Sequence, residues 1–140
     1  MRHLFILCLL TASTFLQAQQ VGADDFTPKN KVKTFSEGNA PVVFLDEAHH
    51  NFHTMDGRYS AFTKVLRSDG YVVKKNTQPF TKASLDKADI LVISNALAEQ
   101  NTQNWDLPNY SAFTRKENEA VFHWVKNGGS LFLIADHMPF

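Results

Sequence analysis

The sequence contains almost no cysteine. Cys8 is the only cysteine in the chain of 140 residues, and it lies inside an apolar stretch close to the first residue. A disulfide needs two cysteines, and a catalytic or zinc-binding thiolate needs a cysteine inside the folded domain. The chain beyond this stretch is therefore predicted to have no disulfide, no thiolate ligand and no cysteine nucleophile.

The sequence also lacks an excess of either charge. Fourteen Lys and Arg residues balance fourteen Asp and Glu residues, and there is no block of like charges. Nucleic-acid-binding domains typically carry a basic patch or stripe, so we expect no nucleic-acid partner. Beyond the first segment, no apolar run reaches the roughly 20 residues that a membrane span needs, so no stable membrane span is expected.

The first residues have the order of a secretory signal peptide. Arg2 and His3 give a positive start, Leu4–Leu10 form an apolar run, and Ala18 provides a small residue for cleavage. We predict a signal peptide over residues 1–18 and a periplasmic or secreted protein. A membrane anchor is the alternative, but the apolar run is shorter than a membrane span.

Two regions follow the predicted signal peptide. Residues 19–40 are polar and contain Pro28 and Gly38, which predicts a flexible leader with little structure. Residues 41–140 alternate short apolar runs with helical patterns, which predicts an α/β domain. The chain ends soon after the apolar run at 131–135. We therefore expect that strand to be uncovered, and the domain to be the N-terminal part of a larger one.

Four apolar runs predict a parallel sheet. Residues 42–45, 90–93 and 131–135 are continuous apolar runs, which are typical of strands buried on both faces. Residues 71–73 run into the polar segment 74–76, which indicates an edge strand. With right-handed crossovers, the expected strand order is 2-1-3-4 in a three-layer, flavodoxin-like arrangement.

Helical patterns lie between the predicted strands. Apolar residues recur at helical spacing over 59–66, and a short helix is expected over 81–87. The clearest signal is a capping box, in which Thr114 caps the start of a helix and Glu117 reaches back to it. This helix is expected to bury one apolar face made of Val121, Trp124 and Val125.

Polar side chains follow three of the four predicted strands. The carboxyl ends of parallel strands meet at one edge of the sheet, and ligands bind there at the point where the strand order reverses. Carboxylates and imidazoles are also common proton carriers in catalysis. The candidate catalytic residues are Asp46, Glu47, His49, Asp136 and His137. The candidate ligand-binding residues beside them are His53 and Asn95.

A metal site is an open alternative at this edge. His49 and His53 are four positions apart, and Asp46 or Asp136 would complete a three-ligand zinc site. The H-E-x-x-H order of helical zinc sites is absent, and the segment is predicted to be a loop. Loop hydrogen bonds are therefore favoured over a metal, and the cofactor is unknown, with a divalent metal as the less favoured option.

The sequence shows no clear nucleophile. There is no G-x-S-x-G elbow. Ser94 ends a predicted strand without flanking glycines, so we interpret it as a residue that hydrogen-bonds the following turn.

The segment 97–113 is long for a loop of a compact domain, and such loops are typically lids or disordered segments. It carries Trp105 and Tyr110. We predict that these rings bind a ligand such as a sugar by stacking. The alternative, equally favoured, is that the two rings anchor the loop onto the core.

Three segments resemble an uncharacterised family of bacterial exported proteins. They read F-L-D-E-A-H-H-N-F-H-T at 44–54 with G-R-Y at 57–59, I-L-V-I-S-N-A at 90–96, and G-G-S-L-F-L-I-A-D-H-M-P-F at 128–140. The family is similar to the class I glutamine amidotransferase-like superfamily. This resemblance implies a flavodoxin-like fold over about residues 41–140.

Catalytic members of that superfamily carry a cysteine after a central strand. Here the comparable turn reads Asp136-His137-Met138, so the resemblance implies no glutaminase activity. It implies a ligand site without supplying a reaction, because fold alone does not fix function. The residues of that implied site are Asp46, Glu47, His49, Asn95, Asp136 and His137.

Two functions are compatible with these patterns. The first is an exported hydrolase that acts on a small molecule by acid/base or metal chemistry at the strand ends. The second is a non-catalytic module that binds carbohydrate or a partner protein at the cell envelope. A purely structural role for the polar cluster is the third reading.

Overall fold

The computed structural model describes residues 22–23, 25–30 and 32–136. Its four strands are β1 (Val42–Asp46), β2 (Val72–Asn76), β3 (Ile90–Ser94) and β4 (Ser130–Ile134). They form one parallel sheet in the order β2-β1-β3-β4, which confirms the predicted order. The predicted signal peptide at 1–18 and the candidate residue His137 lie outside the described residues.

Three helices connect the strands: α1 (Ser60–Ser68), α2 (Lys82–Leu85) and α3 (Arg115–Lys126). A short 3-10 turn, Glu99–Asn101, lies between β3 and α3. The alternation of strands and helices confirms an α/β fold with a parallel sheet, and the topology is that of a flavodoxin-like domain.

The central strand β1 is covered on both faces, and its successive residues point to opposite sides of the sheet. Val43 and Leu45 of β1 face α1, where they pack in a cluster with Phe62. Phe44 faces the opposite side, in a cluster with Trp124 of α3. The expected three-layer arrangement is therefore present.

The capping box predicted for α3 is confirmed. Thr114 Oγ1 accepts a hydrogen bond from the Glu117 amide at 3.3 Å, and Glu117 Oε2 accepts one from the Thr114 amide at 2.9 Å. Trp124 is buried as expected and Val121 packs against the core, but Val125 is 39% exposed. Its predicted burial is wrong because the helix turns that position away from the sheet.

The end strand β4 is paired only on the side of β3. Its side chains Leu131, Phe132 and Leu133 are exposed, the last two by 52% and 58%. The burial on both faces that the apolar run predicts is therefore wrong for β4. The expectation that the last strand is uncovered is confirmed within the described residues.

The described residues of the predicted leader, up to residue 40, form no helix or strand. Part of this segment nevertheless contacts the domain. Thr34 Oγ1 donates to Asp69 Oδ1 at 2.8 Å, and the Phe35 ring meets the Tyr71 ring edge-on at 4.7 Å. Among the residues that the structure describes, no helix combines the length and apolar character needed to cross a membrane.

Candidate functional site

Three strands end in buried polar residues at the same edge of the sheet. Asp46 ends β1, Asn76 ends β2 and Ser94 ends β3, with exposed fractions of 0%, 4% and 1%. This edge includes the point between β1 and β3 where the strand order reverses. Buried polar groups from three strands therefore lie together at this edge of the sheet.

The carboxylate of Asp46 is satisfied entirely by protein groups. Its Oδ1 accepts hydrogen bonds from Asn76 Nδ2 at 3.1 Å and from the Ala48 amide at 3.3 Å. Its Oδ2 accepts one from Asn51 Nδ2 and lies 2.8 Å from His49 Nδ1. These contacts offset the cost of burying a charge and hold the loop that follows β1.

His49 bridges two carboxylates. Nδ1 contacts Asp46, and Nε2 lies 2.8 Å from Glu117 Oε1 on α3. Burial opposes protonation of the ring, but the hydrogen bonds and negative charges of Asp46 and then Glu117 outweigh it and raise the pKa of His49. Both ring nitrogens are therefore engaged by protein groups, and the two carboxylates favour the protonated ring.

Glu117 is a member of this network that the sequence did not reveal. Its Oε1 also accepts from the Phe80 amide at 3.2 Å, and its Oε2 accepts from the amide and hydroxyl of Thr114 at 2.9 and 2.7 Å. Burial opposes ionisation, but the hydrogen bonds from Thr114, His49 and Phe80 outweigh it and lower the pKa of Glu117 to about 2. The capping box predicted its place at the helix start but not its contact with His49.

Glu47 lies next to Asp46 in the chain but contacts a different part of the structure. Its Oε1 accepts a hydrogen bond from the Met55 amide at 2.7 Å, and its Oε2 lies 3.6 Å from Lys75 Nζ on β2. Lys75 also pairs with Asp56 at 2.8 Å. Glu47 therefore ties the loop to the edge strand.

A second chain of contacts runs through the end of β3. Ser94 Oγ lies 2.9 Å from His53 Nδ1 and 2.9 Å from the Tyr59 hydroxyl, and the rings of His53 and Tyr59 stack with centroids 4.5 Å apart. The Ser94 amide donates to Asn51 Oδ1 at 2.9 Å, which links this chain to Asp46. His53, predicted as a ligand-binding residue, is thus buried beside a hydroxyl group.

Asn95 connects β3 to β4. Its side-chain Nδ2 donates to Asp136 Oδ1 at 2.8 Å, and its Oδ1 accepts from the Asp136 amide at 3.2 Å. Nδ2 also lies 3.4 Å from His53 Nδ1. Asn95 is fully buried and has a φ of 55°, a left-handed conformation that Asn tolerates better than most residues. Asp136, in contrast, is exposed.

The loop between β3 and α3 places the rings of Trp105 and Tyr110 differently. Trp105 is 44% exposed, and its ring meets Phe52 edge-on with centroids 5.9 Å apart. Phe52 in turn meets His53 edge-on at 5.1 Å. Trp105 therefore adjoins the site, whereas Tyr110 is 56% exposed and is fixed by its amide, which donates to Asn101 Oδ1 at 3.0 Å.

No group of three or more His, Cys, Asp or Glu side chains suited to holding a metal occurs in the described part of the chain. His49 and His53 lie in a loop, as predicted, and they belong to different hydrogen-bond chains. Five site residues are not identified by the sequence patterns, and each of them has a hydrogen-bond partner that is distant in the chain. They are Asn51, Tyr59, Asn76, Ser94 and Glu117.

A cleft of about 870 Å³ lies at the opposite edge of the sheet, near the first residues of β3 and β4. Two of its acidic side chains have structural partners: Asp89 Oδ2 accepts from the Val42 amide at 2.7 Å, and Asp86 pairs with Lys82. The candidate residues at the strand carboxyl ends do not line this cleft.

Comparison with known proteins finds no family model, no curated protein and no solved structure that matches this chain. The strand order and the strand–helix alternation are therefore the basis for the fold, and the geometry at the strand ends is the basis for the function.

Proposed function

We propose that this chain is an exported hydrolase whose site lies at the carboxyl ends of β1, β3 and β4. The observation that carries the proposal is the placement of Asp136, an exposed carboxylate, by the fully buried side chain of Asn95. One hydrogen bond holds this carboxylate and a second holds the backbone amide of Asp136, at the edge of the sheet where ligands of open α/β sheets bind. Its neighbour in sequence, His137, is the proposed proton partner.

Asp136 suits the role of a general base. A carboxylate held within hydrogen-bond reach of a bound water takes a proton as that water attacks the substrate, and such a group contributes about 10²–10⁴-fold to the rate. Fixing the carboxylate in advance matters, because a loosely held base loses much of this advantage. Asn95 supplies that rigidity from a buried position.

The network of Asp46, His49 and Glu117 stabilises the segments around the site. Since both nitrogens of His49 are engaged by carboxylates, we assign this network to holding the loop after β1 in place. Glu47 has the same role through Met55 and Lys75. A direct catalytic part for Asp46, Glu47 and His49 stays a prediction from the sequence.

The proposal includes a relationship to the class I glutamine amidotransferase-like superfamily. It is supported by the strand order 2-1-3-4 and by the motifs at the ends of β1, β3 and β4. Glutaminase activity is not part of the proposal, because Asp136 follows β4 where the catalytic members carry cysteine. Export rests on the signal-like order of residues 1–18.

The hydrolase proposal is tested with a panel of chromogenic carboxylic esters, glycosides and phosphate esters. We expect activity on one class, and a fall in kcat of about 100-fold or more in Asp136→Asn, as for loss of a general base. Asp106→Asn, in an exposed loop position, is the matched control and should keep full activity. No turnover of any class, or equal activity in both variants, would contradict the proposal.

A binding module for carbohydrate is the second candidate, and the exposed ring of Trp105 favours it. An exposed indole beside a polar site is a typical stacking surface for a sugar ring. Glycan-array binding by the wild type that is lost in Trp105→Ala and retained in Tyr110→Ala would support this function. Glycan binding that persists in Trp105→Ala would show that the Trp105 ring is not part of the binding surface.

A further inference from the structure

The buried hydroxyl of Ser94 has no part in the acid/base proposal, yet it is surrounded by groups that suit a nucleophile. Its Oγ lies 2.9 Å from His53 Nδ1 and 2.9 Å from the Tyr59 hydroxyl. It ends β3 at the switch point of the sheet, next to Asn95. A serine hydroxyl in contact with an imidazole nitrogen has the first requirement of an activated nucleophile.

The contacts of Asn95 favour one tautomer of the His53 ring. An amide nitrogen only donates hydrogen bonds, so the contact of Asn95 Nδ2 with His53 Nδ1 at 3.4 Å suits the tautomer in which Nδ1 is an acceptor. In the structure Ser94 Oγ donates to the Tyr59 hydroxyl at 2.9 Å. A hydroxyl has a single proton, so displacing the Tyr59 side chain turns the Ser94 proton towards Nδ1, which lies 2.9 Å from Oγ.

Asp136 is linked to the same ring. The two N–H groups of Asn95 Nδ2 reach Asp136 Oδ1 at 2.8 Å and His53 Nδ1 at 3.4 Å. The negative charge of Asp136 therefore lies close to the ring that has to accept a proton. This charge favours the imidazolium, and the long contact from Asn95 is readily given up when Nδ1 becomes protonated.

We propose that Ser94 is a catalytic nucleophile, with His53 as its base, and that the substrates are carboxylic esters. This inference rests on the proposed hydrolase function of the same site and names its substrate class. Ser94 Oγ attacks the ester carbonyl carbon and passes its proton to His53 Nδ1. The bond to the leaving alcohol then breaks, and Nδ1 returns the proton to the departing oxygen.

Water completes the reaction. It adds to the acyl carbon of acyl-Ser94 while Nδ1 takes one of its protons, and the bond from Oγ to the acyl group then breaks as Oγ recovers that proton. The sum is one ester and one water giving one acid and one alcohol. In this sequence His53 takes the proton of the water, and Asp136 favours that transfer through the ring of His53 instead of accepting the proton itself.

Tyr59 covers this pair in the structure. Ser94 is only 1% exposed, and the Tyr59 ring lies against His53 while its hydroxyl contacts Oγ. Tyr59 comes directly before α1 and makes no capping hydrogen bond with its side chain. An ester must therefore displace the Tyr59 side chain to reach Oγ, and its removal should open the route.

The test is labelling of the full chain with a fluorophosphonate probe, followed by mass spectrometry of the peptides. We expect one label, on the peptide that contains Ser94, because an activated serine displaces fluoride from phosphorus. The labelling rate should fall by about 100-fold in His53→Gln, the scale of a lost base, and rise in Tyr59→Ala. Ser94→Ala should not be labelled, whereas Ser111→Ala, which changes an exposed serine, should label like the wild type.

The site of the label on the wild type decides the question even if Ser94→Ala fails to fold. No label on either the wild type or Tyr59→Ala, or a label on another serine, overturns the nucleophile. Ester hydrolysis that depends on Asp136 but persists in a folded Ser94→Ala variant overturns the nucleophile and leaves the proposed function standing. If no serine is labelled and no substrate class is turned over, both the Ser94 nucleophile and the proposed hydrolase function are contradicted.

Discussion

His49 Nε2 and Glu117 Oε1 lie 2.8 Å apart, although the two residues are separated by 68 positions in the chain. The contact joins the loop after β1 to the first turn of α3, and Asp46 completes it on the other nitrogen of the ring. Phe80 and Phe113 pack against the ring, with centroids 4.5 and 4.9 Å away. A buried imidazole ring between two carboxylates therefore connects the sheet, the loop and the helix.

Glu117→Gln should remove a stabilisation that the wild type has at neutral pH and loses in acid. Because the folded-state pKa of Glu117 is about 2 against an ordinary 4.5, its stabilisation is complete above pH 4.5 and is lost as the pH falls towards 2. The size of this shift corresponds to about 3 kcal/mol at neutral pH. Urea unfolding at a series of pH values should show the variant weaker at neutral pH and close to the wild type near pH 2.

Glu119→Gln is the matched control for that measurement, since Glu119 lies on the same helix but is exposed and pairs with the exposed Arg115. We expect a change of about 0.5 kcal/mol or less, as for other exposed ion pairs. An acid transition in Glu117→Gln that is as steep as in the wild type would contradict the role assigned to Glu117.

His49→Gln should show the opposite dependence on pH. The folded-state pKa of His49 is raised, so its stabilisation is complete below the ordinary value of 6.5 and is lost as the pH rises through the folded-state value. The free energy of unfolding should therefore differ most from the wild type at about pH 6, by about 3–5 kcal/mol for a broken buried pair. The difference in the free energy of unfolding between the variant and the wild type should become smaller as the pH rises above the folded-state pKa of His49.

His123→Gln, an exposed change on α3, serves as the control and should leave the pH dependence unaltered. An NMR titration of the His49 ring gives a direct check. A midpoint at or below 6.5 would show that the two carboxylates do not hold the ring as a cation.

Gly129→Ala should destabilise the domain by crowding Trp124. A Cβ atom at this position would lie 2.3 Å from two atoms of the indole ring, which is closer than packed atoms approach. Crowding of this kind costs about 1–3 kcal/mol. The urea midpoint of Gly129→Ala should fall, while the neighbouring exposed change Ser130→Ala should leave it nearly unchanged. The penalty should shrink in the double variant Trp124→Leu with Gly129→Ala, because the two sites share one space.

Asn95→Asp should bring two carboxyl groups into contact and raise the pKa of one of them. The substitution keeps a residue type that tolerates the left-handed conformation, but it replaces the Nδ2 donor by a second carboxylate oxygen facing Asp136. Two carboxylates in contact cannot both ionise readily, so one midpoint of the pair should lie about one unit or more above the ordinary value of Asp. NMR titration of the Asp carboxyl carbons measures this without a substrate, and Asn104→Asp in an exposed loop is the control. The absence of any raised midpoint in the variant would mean that Asn95 does not position Asp136.

Local sequence patterns predicted the elements of the fold. The apolar runs of β1 and β3 and the polar end of β2 gave the strand order, and the capping box at Thr114 gave the start of α3. These signals are readable because they depend on neighbours a few positions away. The exposure of Val125 was missed because small differences in helix rotation decide which apolar residue meets the sheet.

The candidate site was predictable in part for the same reason. Asn95 and Asp136 were identified because parallel strands end at a common edge, and that rule needs only the topology. The contacts of Glu117 with His49 and of Tyr59 with Ser94 were not predictable, since they depend on side-chain directions set by tertiary packing. Ser94 was therefore interpreted as a simple strand end, and its position beside His53 became visible only in the structure.

Glu117 belongs both to the first turn of α3 and to the hydrogen-bond network of the site. The site therefore stays rigid only while that turn is folded. The same carboxylate caps α3 through Thr114, accepts from the Phe80 amide and holds His49. Fraying of the first turn of α3 would release the ring and, with it, the loop that carries His53 and Tyr59. Helix ends are among the first parts of a protein to open, so hydrogen exchange at the start of α3 should report the opening of the strand-end site as one event.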